Sequence, residues 1–186
     1  RCFGHSTGIV PSLMLLVCSI IFMQLNRCDI LDVDFHHGNG TQSIFYERSD
    51  VFFTSIHGSP TSEFPFYLGY ADEIGQGAGK GFNLNLPLAA GASVETWFNA
   101  LNTATQAIHQ FAPEALVISL GVDTFINDPI SKFALDTPDY FNMGQLIASL
   151  KLPTMFVLEG GYAVDAVGEN VVNVLNGFES FVPTAD

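Results

Sequence analysis

Basic residues are what this chain of 186 residues has least of: six Lys and Arg stand against 19 Asp and Glu, a formal net charge of −13. A surface that grips a phosphate backbone needs clustered cations, so the balance argues against nucleic acid as a partner. It would suit a cationic substrate, although an acidic balance is also an ordinary solubility device. Cysteine is almost as scarce. Cys2, Cys18 and Cys28 are odd in number and show no paired spacing, which excludes a disulfide framework and reads as reduced thiols in a cytoplasmic protein. Long uncharged runs are few, and the one of note covers residues 10–25. It falls short of the ~20 residues a bilayer crossing needs, has Pro11 near its start and follows no cluster of positive charge. A buried helix is expected there, with no membrane contact.

Apolar residues, by contrast, are plentiful. The chain is 48% hydrophobic with 17 Phe, enough to build a core for a single domain over residues 1–186 and to argue against disorder. Short apolar runs predict strands over residues 30–34, 51–56, 82–88, 116–120 and 155–158. Helical patterns fall between them. A short helix is expected over 40–47, a long one behind Ser93 and closed by Pro113, one started by Thr137-Pro138, and a last one over 164–177. Residues 57–81 form a long loop rich in Gly, Pro and aromatics, and such loops usually carry function. The alternation predicts an α/β fold of three α/β/α layers on a mostly parallel sheet.

Residues 30–42 hold the densest chemistry: Ile-Leu-Asp-Val-Asp-Phe-His-His-Gly-Asn-Gly-Thr-Gln. If a strand runs over 30–34, alternation points Asp32, Asp34 and His36 the same way. Carboxylates and an imidazole so placed can share one divalent ion, with zinc a good match to two oxygens and a nitrogen. A strand running into a polar turn with solvated acids is the competing reading. Parallel sheets bind ligands beyond the carboxyl ends of their strands. That rule puts Asp34, His36, Asp123 and Tyr162 at one rim. Asp123 would complete three ligands and leave metal positions open, as catalytic sites do, although an Asp after a strand is also an ordinary helix cap.

Five segments, in order, carry a resemblance: Asp32-Val-Asp34-Phe-His36-His37-Gly-Asn39-Gly, Ser55-Ile-His57, Gly77-Ala-Gly79-Lys-Gly81-Phe82-Asn-Leu-Asn85, Leu120-Gly-Val-Asp123-Thr through Asp128-Pro, and Glu159-Gly-Gly-Tyr162. Over about residues 29–178 the chain resembles the histone deacetylase and acetylpolyamine amidohydrolase family. The Gly-Asn-Gly turn and the loop from Tyr70 to Gly75 look closer to the bacterial acetylpolyamine amidohydrolases and class II deacetylases. The resemblance implies an arginase-like fold with zinc on Asp34, His36 and Asp123, a ligand set that iron(II) also tolerates. It implies hydrolysis of an acetylated polyamine or acetyl-lysine, with Tyr162 donating to the developing oxyanion. Asp32 and Asn39 match positions that orient the family's catalytic histidine pair, and His37 stands beside them. The backbones of Asp32, Asp34 and His36, with Ser55 and Ile56, match a monovalent-cation site, commonly potassium. Phe64 is a candidate tunnel wall, and Gly160 and Gly161 let backbone approach the substrate. His57 and His109 are expected to be structural.

The match breaks down upstream. The family carries a Gly-His-His pair before the first of these segments, and here only Arg1-Cys2-Phe3-Gly4-His5-Ser6 approaches it. Ser6 stands where the second histidine belongs, which leaves His5 as the one candidate catalytic partner. The chain therefore reads as the C-terminal portion of the family domain, with its N-terminal strands missing. Two functions remain open: a zinc-dependent deacetylase, or a remnant that keeps the metal pocket and serves as a binding or structural protein. An uncovered sheet edge would favour a homo-oligomer.

Overall fold

The computed structural model describes residues 25–181. His5, Cys2 and Cys18 lie outside them, and so does all but Leu25 of the helix expected over residues 10–25. Five strands form one sheet: β1 (Cys28–Asp32), β2 (Val51–Gly58), β3 (Asn83–Leu88), β4 (Ala115–Leu120) and β5 (Thr154–Leu158). Their order is β3-β2-β1-β4-β5, and every neighbouring pair is parallel. All residues of β1, β2 and β4 are buried, which is why these strands read as continuous apolar runs instead of alternating ones. β5 is an edge strand among the described residues and leaves Met155 and Leu158 exposed.

Among the described residues four α-helices accompany the sheet, three between strands and the last after β5: α1 (Asn39–Phe45), α2 (Val94–Phe111), α3 (Thr137–Ala148) and α4 (Val164–Ser180). On one face of the sheet, Leu31, Phe52, Ile56, Leu116 and Ile118 meet α2, α3 and α4. The α2 stripe of Trp97, Leu101, Ala104, Ile108 and Phe111 recurs at helical spacing and is wholly turned inward. On the other face Ile30, Val51, Phe53, Val117 and Val157 pack with Phe45 and Ile44 of α1. Ser93 caps α2 by accepting from the Thr96 amide, and the left-handed Ala112 ends it just before Pro113. The cap of α3 is Asp136, one residue earlier than the Thr137 expected. Its carboxylate accepts from the Thr137 amide while Asp139 accepts from the Asp136 amide, and a reciprocal pair of acids outcompetes a lone threonine.

From β1 the chain steps outward through β2 to β3, then α2 carries it back to β4 on the other side of β1. The winding direction thus reverses between β1 and β4. Their carboxyl ends form the crevice in which open α/β sheets place ligands.

Asp29 breaks the apolar pattern of β1. It lies in register with Phe52 and Leu116 and is fully buried. One carboxyl oxygen is 3.5 Å from the Thr54 hydroxyl, and Oδ2 has no partner. Burial, only partly offset by Thr54, holds its pKa well above the ordinary 3.8. A raised carboxyl stabilises the fold only while protonated, so that contribution is present in acid and is lost as pH rises. Asp29→Val should therefore stabilise the protein by roughly 1–3 kcal/mol near neutral pH. Urea unfolding at a series of pH values would show that gain shrinking toward acid. An unchanged or lowered midpoint would mean that Asp29 is compensated.

Candidate metal centre

β1 stops at Asp32, two residues sooner than expected, so Asp34 and His36 are not on a strand. Val33 still donates to the Ser119 carbonyl of β4. Beyond it the side chains take over the turn. Asp32 Oδ1 accepts from the Asp34 amide at 3.1 Å, and Asp34 Oδ1 accepts from the His36 amide at 2.7 Å. These two short loops steer Asp34 and His36 toward β4, a convergence that strand alternation alone would not produce. From the end of β4, Asp123 Oδ1 accepts the Phe35 amide at 2.8 Å. The same residue's Oδ2 lies 3.1 Å from His36 Nδ1, and Asp34 Oδ1 lies 3.4 Å from that nitrogen. One ligand atom from each of Asp34, His36 and Asp123 falls within 4.8 Å of the others.

The donor set fits a divalent cation. Separations of this size match bonds of ~2.0–2.2 Å from two carboxylates and one imidazole to a shared ion. Two glycines make the room. A Cβ on Gly121 or on Gly160 would collide with Asp34 Oδ2, and Gly160 is held beside the cluster by the Val122 amide, which donates to its carbonyl. The cluster is also short of positive charge. Burial and the Asp34 carboxylate push Asp123 up to about 7. Burial, then Asp34 and Asp123, push Glu159 up to about 8. Asp32 is raised by burial and by Glu159 and Asp34. Burial alone would lower His36, but its hydrogen bonds to Asp123 and Asp34 outweigh that and raise it to about 10. A bound divalent cation would favour the ionised form of acids placed in this way around one imidazole.

The other expected residues fall into two groups. Near the cluster stand Tyr162, Phe64, Gly160 and Gly161. Tyr162 is half exposed and its hydroxyl is raised by burial and by the charges of Asp34 and Asp123. The Phe64 ring sits edge-on to His36 with centroids 6.3 Å apart. On the far side of β1, Asp32 pairs in register with Ser55 of β2, and Ile56 is buried in the opposite face. His37 turns away from the cluster, donating through Nε2 to Gln42 and packing against His57 at 4.5 Å. His57 donates to the Gly69 carbonyl and accepts from the Ser55 hydroxyl. Asn39 opens α1. His109 lies in the last turn of α2.

Comparison with known proteins now bears on this geometry. The histone deacetylase domain matches residues 12–178. The chain belongs to the histone deacetylase family. It is 61% identical over 153 residues to acetylpolyamine amidohydrolase 2 of Pseudomonas aeruginosa, covering 82% of this chain and 44% of that protein. It is 56% identical over 148 residues to the acetylpolyamine amidohydrolase of Mycoplana ramosa, covering 80% and 43%. The crystal structure of the acetylpolyamine aminohydrolase from Burkholderia pseudomallei superposes with a TM-score of 0.87 at 41% identity, over 89% of this chain and 48% of that one. A histone deacetylase homologue from Aquifex aeolicus does so at 0.82 and 30% identity. The chain spans about half the length of these relatives.

Within this histone deacetylase fold, several supporting residues escaped sequence reasoning. Tyr140 of α3 donates to the Val122 carbonyl and bonds the Thr124 hydroxyl, bracketing Asp123 from both sides. Gln42 Oε1 accepts from His37, Asn83 and Asn85 at once, and its amide donates to Glu73. Glu73 in turn accepts the amides of Gly69 and Tyr70, pinning the aromatic loop to the sheet. Asn at alternate positions of β3, interleaved with leucines, was the available signal.

Loading with a divalent metal should give one ion per chain by metal analysis, lost in Asp34→Ala and Asp123→Ala. Gly160→Ala should lose it as well although every ligand remains, because its Cβ would take the place of Asp34 Oδ2. Retention of the ion by Asp123→Ala would rule out this centre.

Proposed function

We propose that the chain is the metal-binding portion of a zinc-dependent amidohydrolase that removes acetyl groups from acetylated amines, acetylpolyamines above acetyl-lysine. The observation that carries this reading is the convergence of Asp34, His36 and Asp123 at the β1/β4 crevice with Tyr162 beside them. The names of the similar bacterial proteins and the acidic balance of this chain favour a polyamine. Zinc at such a site supplies polarisation of the acetyl carbonyl and a water of lowered pKa.

The residues of the chain do the rest. Asp34, His36 and Asp123 would hold the ion at the crevice. The raised pKa of Tyr162 keeps its hydroxyl protonated, so it can donate a hydrogen bond to an oxygen gaining charge during attack. Phe64 offers an apolar wall to the methylene chain of the substrate. Asp32 and Ser55 are candidates to help hold a potassium ion behind the ligand turn.

A second reading, a remnant that binds metal without turnover, is favoured by how the described histidines are used. His37 and His57 commit ring nitrogens to Gln42, Ser55 and Gly69. His109 lies in the last turn of α2, at the opposite end of the sheet from the cluster, so among the described residues no second imidazole stands beside His36 to act as base. Loss of such a base costs ~10²–10⁴-fold in rate.

Assay of the zinc-loaded chain with acetylpolyamines and an acetyl-lysine peptide decides between the two. Turnover that Tyr162→Phe abolishes supports the enzyme. Zinc binding without turnover supports the remnant. We also expect self-association through β5, an edge strand among the described residues that exposes Met155 and Leu158, and a clean monomer in sedimentation would contradict it.

A further inference from the structure

Asp128 belongs to a segment that the proposed reaction leaves unused. It sits in the loop between β4 and α3, five residues after Asp123, and is only 7% exposed. Its carboxylate reaches across to the start of α4. Oδ2 accepts the Tyr162 amide at 2.8 Å and the Ala163 amide at 3.3 Å, while Oδ1 accepts the Ile130 amide at 3.0 Å. We infer that Asp128 is a positioning residue that clamps the backbone of Tyr162 to the loop carrying Asp123, fixing the tyrosine hydroxyl relative to the metal ligands.

Three features make the clamp necessary. Ala163, the residue before α4, has no side chain able to cap, and the amides of Tyr162 and Ala163 lie ahead of the helix's own hydrogen bonds, so they need an acceptor from elsewhere. Asp128 provides it and brings negative charge to the helix start. Tyr162 also follows Gly160 and Gly161, and Gly161 has φ +135°, so the chain leading into the tyrosine has little rotational restraint of its own. The anchor, by contrast, is stiff. Tyr140 holds Val122 and Thr124 on either side of Asp123, and the loop is closed by the Ile126 amide donating to the Leu135 carbonyl and the Leu135 amide to Thr124. One loop thus sets both a metal ligand and the tyrosine opposite it.

The catalytic consequence rests on the proposed amidohydrolase reading, whereas the clamp itself does not. The test compares the zinc-loaded chain with Asp128→Asn. By amide hydrogen exchange, Tyr162 and Ala163 should be protected in the unaltered protein, although both precede the hydrogen-bonded turns of α4. In the variant they should exchange on the order of tenfold faster, with amides of β4 and β5 unchanged and zinc stoichiometry retained. With acetylpolyamine, kcat should fall on the order of tenfold at nearly constant KM. Unprotected Tyr162 and Ala163 amides in the unaltered protein overturn the clamp even if the variant fails to fold. So does a variant that loses zinc while these amides stay protected. Absence of turnover in the unaltered chain sinks the amidohydrolase reading, and the exchange data still decide the clamp.

Discussion

Crowding of carboxylates away from water is the constraint on which this structure turns. Asp32, Asp34, Asp123 and Glu159 meet where β1 and β4 lie side by side, and the pKa values of Asp32, Asp123 and Glu159 are raised first by burial and then by mutual repulsion. A fold tolerates such a cluster only if something positive offsets it, and His36 alone is a single imidazole. Much of the surrounding architecture makes sense as the means of holding these acids together. The parallel register brings the ends of β1 and β4 level, Gly121 and Gly160 admit the Asp34 carboxylate, and Tyr140 braces Asp123 from below.

The same arrangement separates two tasks on the two sides of β1. Toward β4 lie the candidate metal ligands Asp34, His36 and Asp123, with Tyr162. Toward β2 lies a buried polar network in which Gln42 joins His37, Asn83, Asn85 and Glu73. That network binds the turn behind the ligands to the aromatic loop, and Phe64 of this loop stands against His36. His36 and His37, adjacent in sequence, therefore serve opposite sides: one meets Asp34 and Asp123, and the other anchors the network that holds the aromatic loop.

Much of this was legible in the sequence. Strands buried on both faces read as short apolar runs, and their polar endings, Asp34, His36, Asp123 and Tyr162, named the rim because parallel topology forces such ends together. What sequence could not show depends on contacts between distant residues. The bend that aims Asp34 and His36 is made by the side chains of Asp32 and Asp34, which a strand pattern reads as alternation. The partners of Gln42 lie on another strand and in a loop. Asp128 stood in a recognisable motif, yet its hold on Tyr162 spans 34 positions. Asp29 is a different case, a polar residue that pattern alone would place at the surface and the fold places between Phe52 and Leu116.

The central claim is that one ion is held jointly by Asp34, His36 and Asp123. X-ray absorption at the zinc edge of the loaded protein tests it most directly. The account expects a shell of nitrogen and oxygen at ~2.0–2.1 Å, with outer scattering from a single imidazole that disappears in His36→Ala. A sulfur shell at ~2.3 Å, or a spectrum without any imidazole contribution, would contradict it.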